Sequence, residues 1–319
     1  MAKKPPGDQL TMPSAVQPNL PNPSWQARPE AGSSSGIRFL MWLARKVGRA
    51  PLRGALYPVA LYFMAVRGPE RRASKSYLQR ALKRPASWLD VYKHFVCFAQ
   101  VAADRFFFFA GRGADIPIRF VGGHAAQRIV EAGNAGIFLA AHLGSFEAAR
   151  VIGPELGGID LRIVLDKKFS GRFLQLMAEV NPELAQQIID SEQGAVELGL
   201  AIKNAIDNNS WVGFLADRFR TGDRSLALEF LGTKAHFPVG PYIIASTLKA
   251  PVICTFCRLK GNGYEVHCEV LSPRVDLPRG NRNEALEALA LTYAQRLEHH
   301  VQASPYSWFN FYDFWADRS

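Results

Sequence analysis

The residues best suited to chemistry stand in one stretch, Gly136-Ile-Phe-Leu-Ala-Ala-His142-Leu-Gly-Ser-Phe-Glu147-Ala-Ala-Arg150. An apolar run reads as a buried strand leading into His142. Leu143-Gly144-Ser145 reads as a turn, and Glu147 then falls in the first turn of a helix. In open α/β sheets ligands gather outside the carboxyl ends of strands, which is where His142 is expected. The turn is short enough for the Glu147 carboxylate to fold back and accept a hydrogen bond from His142 Nδ1, and the helix N-terminus favours the ionised form. That contact leaves Nε2 as a bare lone pair and stabilises the imidazolium formed on proton uptake. Such a pair is a general base without a nucleophile of its own; it deprotonates an incoming hydroxyl or amine. Backbone N–H groups of Leu143, Gly144 or Ser145 are candidates to hold an oxyanion. Arg150, one turn beyond Glu147, can pair with that carboxylate. The plainer reading is a histidine that satisfies local hydrogen bonds beside a turn.

The elements that must position this pair follow from the pattern on either side. Short apolar runs at Ile118–Val121, Ile137–Ala141, Leu161–Leu165, Gln187–Ile189, Trp211–Ala216, Leu226–Leu231, Val252–Arg258 and Tyr264–Val270 read as strands. Helical stretches lie between them at about 125–132, 146–156, 171–180 and 195–206. A helix opens near Pro241, which suits a first helical position, and Phe230–Pro241 reads as a loop. The last helix has Leu286, Leu289, Tyr293, Leu297 and Val301 at helical spacing. Ahead of the strands, Ser87 can cap a helix over Trp88–Phe109. The expected fold is α/β: a mixed, mostly parallel central sheet with helices on both faces, preceded by a helical basic region. The expected division is a disordered Pro-rich tail at 1–36, a basic amphipathic region at 37–93 and an α/β domain at 94–319.

Charge is concentrated in that second segment. It carries thirteen basic residues against Glu70 and Asp90, more than the whole net charge of +10. Large apolar side chains are interleaved, including Trp42, Tyr57, Leu61, Tyr62 and Phe63. The run from Gly54 to Val66 is bounded by Arg53 and Arg67 and contains Pro58, too short to cross a bilayer easily. Helices lying in the headgroup region, attracted to anionic lipid, fit this pattern. Amphipathic core helices with a solvated basic face fit it as well. Nucleic acid is disfavoured, because no recognised binding motif accompanies the charge.

Other chemistries lack their signals. Four cysteines in 319 residues make no disulfide framework. Cys254 and Cys257 lie three apart on a strand and point to opposite faces, so they read as core and not as metal ligands. No Gly-rich phosphate loop follows a strand, and no Gly-x-Ser-x-Gly elbow is present, which disfavours nucleotide-dependent and serine-hydrolase chemistry. No metal or cofactor is expected. Residues 1–36 lack the apolar core of a secretory signal, so the working part is expected in the cytoplasm.

His-x4-Glu at a strand-to-helix turn resembles the glycerolipid and lipid A acyltransferase superfamily. Three further stretches narrow the resemblance to the lipid A biosynthesis acyltransferases: Val212-Gly-Phe-Leu-Ala-Asp217-Arg218; Phe230-Leu-Gly232 leading to Pro238-Val-Gly240-Pro241 and Ala250-Pro251-Val252; and Pro305-Tyr-Ser-Trp308. Together they span about 37–312 in order. The resemblance implies acyl transfer from acyl-carrier protein or acyl-CoA to a hydroxyl or amine of a membrane lipid or glycolipid, at the cytoplasmic face of the inner membrane. It implies His142 and Glu147 as the catalytic pair, Asp217 as the family's post-strand Asp, and Arg218 where related enzymes hold an acceptor phosphate. Lys167 and Lys168 stand where the family often places an Arg. Arg218-Phe-Arg-Thr-Gly222 replaces a Gly-Pro stretch, and Tyr306-Ser307 replaces acidic and Gln residues, which leaves the acceptor open. An acylglycerolphosphate-type acyltransferase and a non-catalytic lipid-binding protein of the same fold are the alternatives.

Overall fold

Three helices precede the first strand: α1 (Arg49–Val66), α2 (Gly68–Leu82) and α3 (Trp88–Phe109). Ser87 starts α3 through a capping box, its hydroxyl accepting from the Asp90 N–H while Asp90 accepts from the Ser87 N–H. Arg84 then grips the Asp90 carboxylate at 2.8 and 2.9 Å. The computed structural model describes residues 46, 48–151, 158–166, 181–219 and 223–316. The Pro-rich 1–36, the basic residues before Lys46, Lys167, Lys168 and the helix expected over 171–180 lie outside these residues.

The strands are β1 (Ile118–Gly122), β2 (Ile137–Ala140), β3 (Asp160–Leu165), β4 (Ile188–Asp190), β5 (Ser210–Leu215), β6 (Ser225–Phe230), β7 (Thr233–Pro238), β8 (Val252–Lys260) and β9 (Gly263–Ser272). Seven of them form one sheet in the order β1-β9-β8-β2-β5-β3-β4. Every neighbouring pair is parallel except β8–β9, a hairpin turned at Gly261-Asn262. Interleaved with the strands are α4 (His124–Glu131), α5 (Phe146–Val151), α6 (Pro182–Gln186), α7 (Ala195–Asp207), α8 (Gly240–Leu248) and α9 (Arg282–Ala303).

Both faces of the central strands are buried, which explains their near-continuous apolar sequences. On one face Ile137, Leu139, Val252, Cys254 and Phe256 meet Tyr242 of α8 and Tyr293 and Leu297 of α9. On the other, Phe138, Trp211, Ile253 and Cys257 meet Leu52 and Leu56 of α1, Val101 and Phe107 of α3, and Ala148 of α5. Each such large side chain removed from water contributes about 1.5–3 kcal/mol. Cys254 and Cys257 therefore do sit in opposite cores.

Two expectations change. The stretch Phe230–Pro241, read as a loop, instead contains β7, which pairs antiparallel with β6 across a turn at Leu231-Gly232. Both turn residues have positive φ, 51° and 76°, the geometry of a tight two-residue hairpin. The strand was hidden because its alternating run is short and ends in Pro238. The basic segment also changes meaning in part. Arg49 is buried and holds Asp104 with two 2.7 Å hydrogen bonds, while Arg53 donates to Gln100 and Asn262 at 2.8 Å each. These two charges belong to the interior. The outer side of α1 leaves Tyr57, Leu61, Tyr62 and Val66 exposed, as are Trp88 and Leu89 at the start of α3. Among the described residues no helix is long and apolar enough to cross a membrane.

Candidate active site

The parallel register of β2 and β5 builds the centre of the site. Ala140 lies opposite Leu215, and the Ala216 N–H donates to the Ala140 carbonyl at 2.9 Å. Continuing each chain two residues past its strand places His142 beside Asp217. His142 Nδ1 is 2.9 Å from Asp217 Oδ1, and the His142 backbone N–H donates to Oδ2 at 3.0 Å. The Trp308 indole N–H donates to the same Oδ2 at 2.9 Å. Asp217 is fully buried, whereas 27% of the His142 side chain remains open.

This arrangement corrects the expected contact. The carboxylate at His142 Nδ1 is that of Asp217 and not of Glu147. Glu147 accepts from the Ser145 hydroxyl at 2.9 Å and forms an ion pair with Arg105 of α3 at 3.1 Å. The local turn explains why. Gly144 has φ +65°, and a Cβ there would lie 2.1 Å from the Cys257 carbonyl oxygen, so only glycine fits. The chain turns sharply onto α5, where Ser145 caps the helix by accepting from the Ala148 N–H at 3.3 Å. Glu147 then bonds that same hydroxyl and faces α3.

Not all of the backbone groups considered for an oxyanion are free. The Gly144 N–H donates to the Ser307 carbonyl at 2.7 Å, and the Ser145 N–H faces the Cys257 sulfur. Leu143 is buried and bridged to Trp308. Gly144 and Ser145 thus shape the turn.

Electrostatics suit a base at rest. Burial lowers the His142 pKa first, the Arg218 charge lowers it further, and Asp217 opposes both without prevailing. Burial alone would raise the Asp217 carboxyl, yet the charge and hydrogen bonds of His142, with Arg218, hold it well below the usual carboxylate range. The resting pair is an aspartate and a neutral imidazole. With Asp217 accepting from Nδ1–H, the lone pair sits on Nε2.

Arg218 follows Asp217 directly. Its Nη2 donates to the Phe309 carbonyl at 2.5 Å, and its guanidinium lies 5.3 Å over the Tyr312 ring. Its Nε is buried without a hydrogen-bond partner among the described residues, and so are both amide atoms of Asn310. Arg150 bonds Gln187 of the β4 end and not the Glu147 carboxylate, whose charge nonetheless reaches it. Sequence reasoning missed Trp308 Nε1, Arg105 and Asn310 as neighbours of the centre. The Pro305–Trp308 motif was the one signal pointing to that end of the chain.

A family model for the bacterial lipid A biosynthesis acyltransferases matches residues 126–316, a span holding His142, Glu147, Asp217, Arg218 and Trp308. No curated protein matches the chain. With a mixed α/β sheet, an imidazole open at its carboxyl edge and a match over more than half its length, the chain belongs to the bacterial lipid A biosynthesis acyltransferase family and is an acyltransferase of lipid biosynthesis.

Proposed function

We propose that this enzyme moves a fatty-acyl group from a thioester donor, acyl-carrier protein or acyl-CoA, to a hydroxyl or amine of a membrane lipid or glycolipid, with His142 as general base. The observation that carries this reading is the His142–Asp217 contact: a buried carboxylate fixes the ring through Nδ1 while part of the ring stays open. Nε2 takes the proton of the acceptor hydroxyl as its oxygen attacks the thioester carbonyl carbon. The carbon–sulfur bond then breaks, and the departing thiolate takes the proton from Nε2, leaving an ester and a free thiol. Asp217 stabilises the transient imidazolium. Developing negative charge on the carbonyl oxygen is met by Arg218 and Arg105, cations whose charges reach the imidazole. Glu147 acts indirectly, by holding Arg105 and the Ser145 cap.

The exposed Tyr57, Leu61, Tyr62 and Val66 beside Arg67 support seating of α1 on an anionic membrane surface, at the cytoplasmic face of the inner membrane. The test supplies purified protein with acyl-carrier protein or CoA thioesters and with bacterial lipid extract or lysophosphatidate. Products are read by mass spectrometry and released thiol by absorbance. One acyl mass added to one lipid per thiol released is expected, and His142→Ala should lower the rate by about 10²–10⁴-fold. Transfer to lysophosphatidate alone would replace this acceptor class by the acylglycerolphosphate reading. No acyl product with either donor, from protein that still sediments with anionic vesicles, would leave only a lipid-binding role.

A further inference from the structure

Trp308 is fully buried, and two of its polar groups point toward different layers of the molecule. Its indole N–H donates to Asp217 Oδ2. Its carbonyl lies 2.9 Å from Nε2 of His94, a histidine buried in the middle of α3. A carbonyl can only accept, so Nε2 of that ring carries the hydrogen and Nδ1 is the acceptor. Ser74 of α2, 2.8 Å from Nδ1, must then donate its hydroxyl hydrogen. Burial holds His94 down to about 4, so the ring is neutral and this single tautomer persists at neutral pH.

The backbone on either side is fastened just as closely. The Ser307 carbonyl takes the Gly144 N–H at 2.7 Å, and the Phe309 N–H donates to the His142 carbonyl at 2.9 Å. The indole is wedged against Tyr77 of α2, Phe230 of β6 and Phe314, with centroids 4.9, 5.3 and 4.9 Å away. A ring pinned on every side has little freedom to turn its N–H away from Asp217. Asp217 in turn has three donors, two from His142 and one from Trp308. The Trp308 bond is the one side-chain contact among the three that does not come from the proton-transferring residue itself.

We infer that Trp308 is a positioning residue of the active site, clamped by His94, and that the chain Ser74–His94–Trp308–Asp217–His142 sets the catalytic base from the helical layer. The inference rests on the reading of His142 as the base. Without the indole N–H, Oδ2 keeps only the His142 backbone N–H at 3.0 Å, and the carboxylate is held less firmly in the orientation that meets Nδ1. The loss falls on turnover and leaves substrate binding alone.

The test is a double-mutant cycle of Trp308→Phe and Asp217→Asn, with His142→Ala as reference. Trp308→Phe keeps an aromatic ring but removes the donor. It should lower kcat about tenfold or more with KM for donor and acceptor unchanged. In the Asp217→Asn background the same change should alter kcat by no more than about twofold, because the carboxylate it serves is gone. Full kcat in Trp308→Phe, or the same fold-loss in both backgrounds, would overturn the inference and mark the indole as packing alone. If Trp308→Phe does not fold, His94→Asn decides: a fall in kcat at constant KM is expected, and unchanged kcat overturns the clamp. Full activity in His142→Ala would overturn the base itself, an outcome separate from any result at Trp308.

Discussion

Asp217 at the sheet's rim and Asp104 beneath α1 are both fully buried, and each collects three hydrogen bonds. Asp217 takes the His142 backbone N–H, the His142 ring and Trp308; Asp104 takes two from Arg49 and one from Tyr264 at 2.8 Å. They differ in the partner. Arg49 keeps its charge at any working pH and retains only 8% of its side-chain surface, so the pair is closed and static. His142 can take up and release a proton and keeps 27% of its side chain open. A buried carboxylate with a sealed, permanent cation can only hold two elements together. The same group with an accessible, titrating partner can drive a reaction.

The comparison is sharpened most by exchanging the two carboxylates that compete for the role of orienter. Asp217→Asn should lower kcat by about 10²–10⁴-fold, and Glu147→Gln distinctly less, each measured on protein whose near-ultraviolet circular dichroism shows native packing. The reverse ranking would return the orienting role to Glu147. Asp104→Ala should behave in the opposite way. It leaves Arg49 buried without its anion and should cost about 3–5 kcal/mol of stability in a urea melt, while activity per folded molecule stays near that of the parent. A large loss of turnover without loss of stability would break the distinction between the two regions.

The smallest effect is in pH. The base must be neutral to act, and burial with Arg218 lowers its pKa. Activity is therefore full at neutral pH and lost as pH falls through a value below the usual histidine value of about 6.5. Arg218→Gln removes one of the two largest causes of that lowering and should move the acid limb of kcat/KM to higher pH. A limb that stays put would show that the charge of Arg218 does not reach the ring.

Much of this site is legible along the chain. His142 stands where an apolar run ends, Gly144 follows at a forced turn, and the Asp217 strand shows the same apolar run into a polar rim. The orienting partner is not legible. Glu147 is five residues from His142 and Asp217 is seventy-five, so a local reading pairs the near one. The choice is made by the β2–β5 register, which sets Ala140 against Leu215 and brings both strand ends to one point. Arg49 and Arg53 are misread for a related reason. Their sequence neighbours are those of a surface helix, and only Asp104, Gln100 and Asn262, brought in from α3 and the β8–β9 turn, show that they face inward.

The sequence by itself determined the alternation of strands and helices, the capped start of α3, and the place of His142 at a strand end, because these depend on side-chain period and on turn chemistry within a few residues. The tertiary structure alone decided which carboxylate meets the imidazole, which arginines are interior, and that the last aromatic segment closes over the site. Those outcomes depend on strand register and helix packing, which join residues far apart in the chain and leave no local trace.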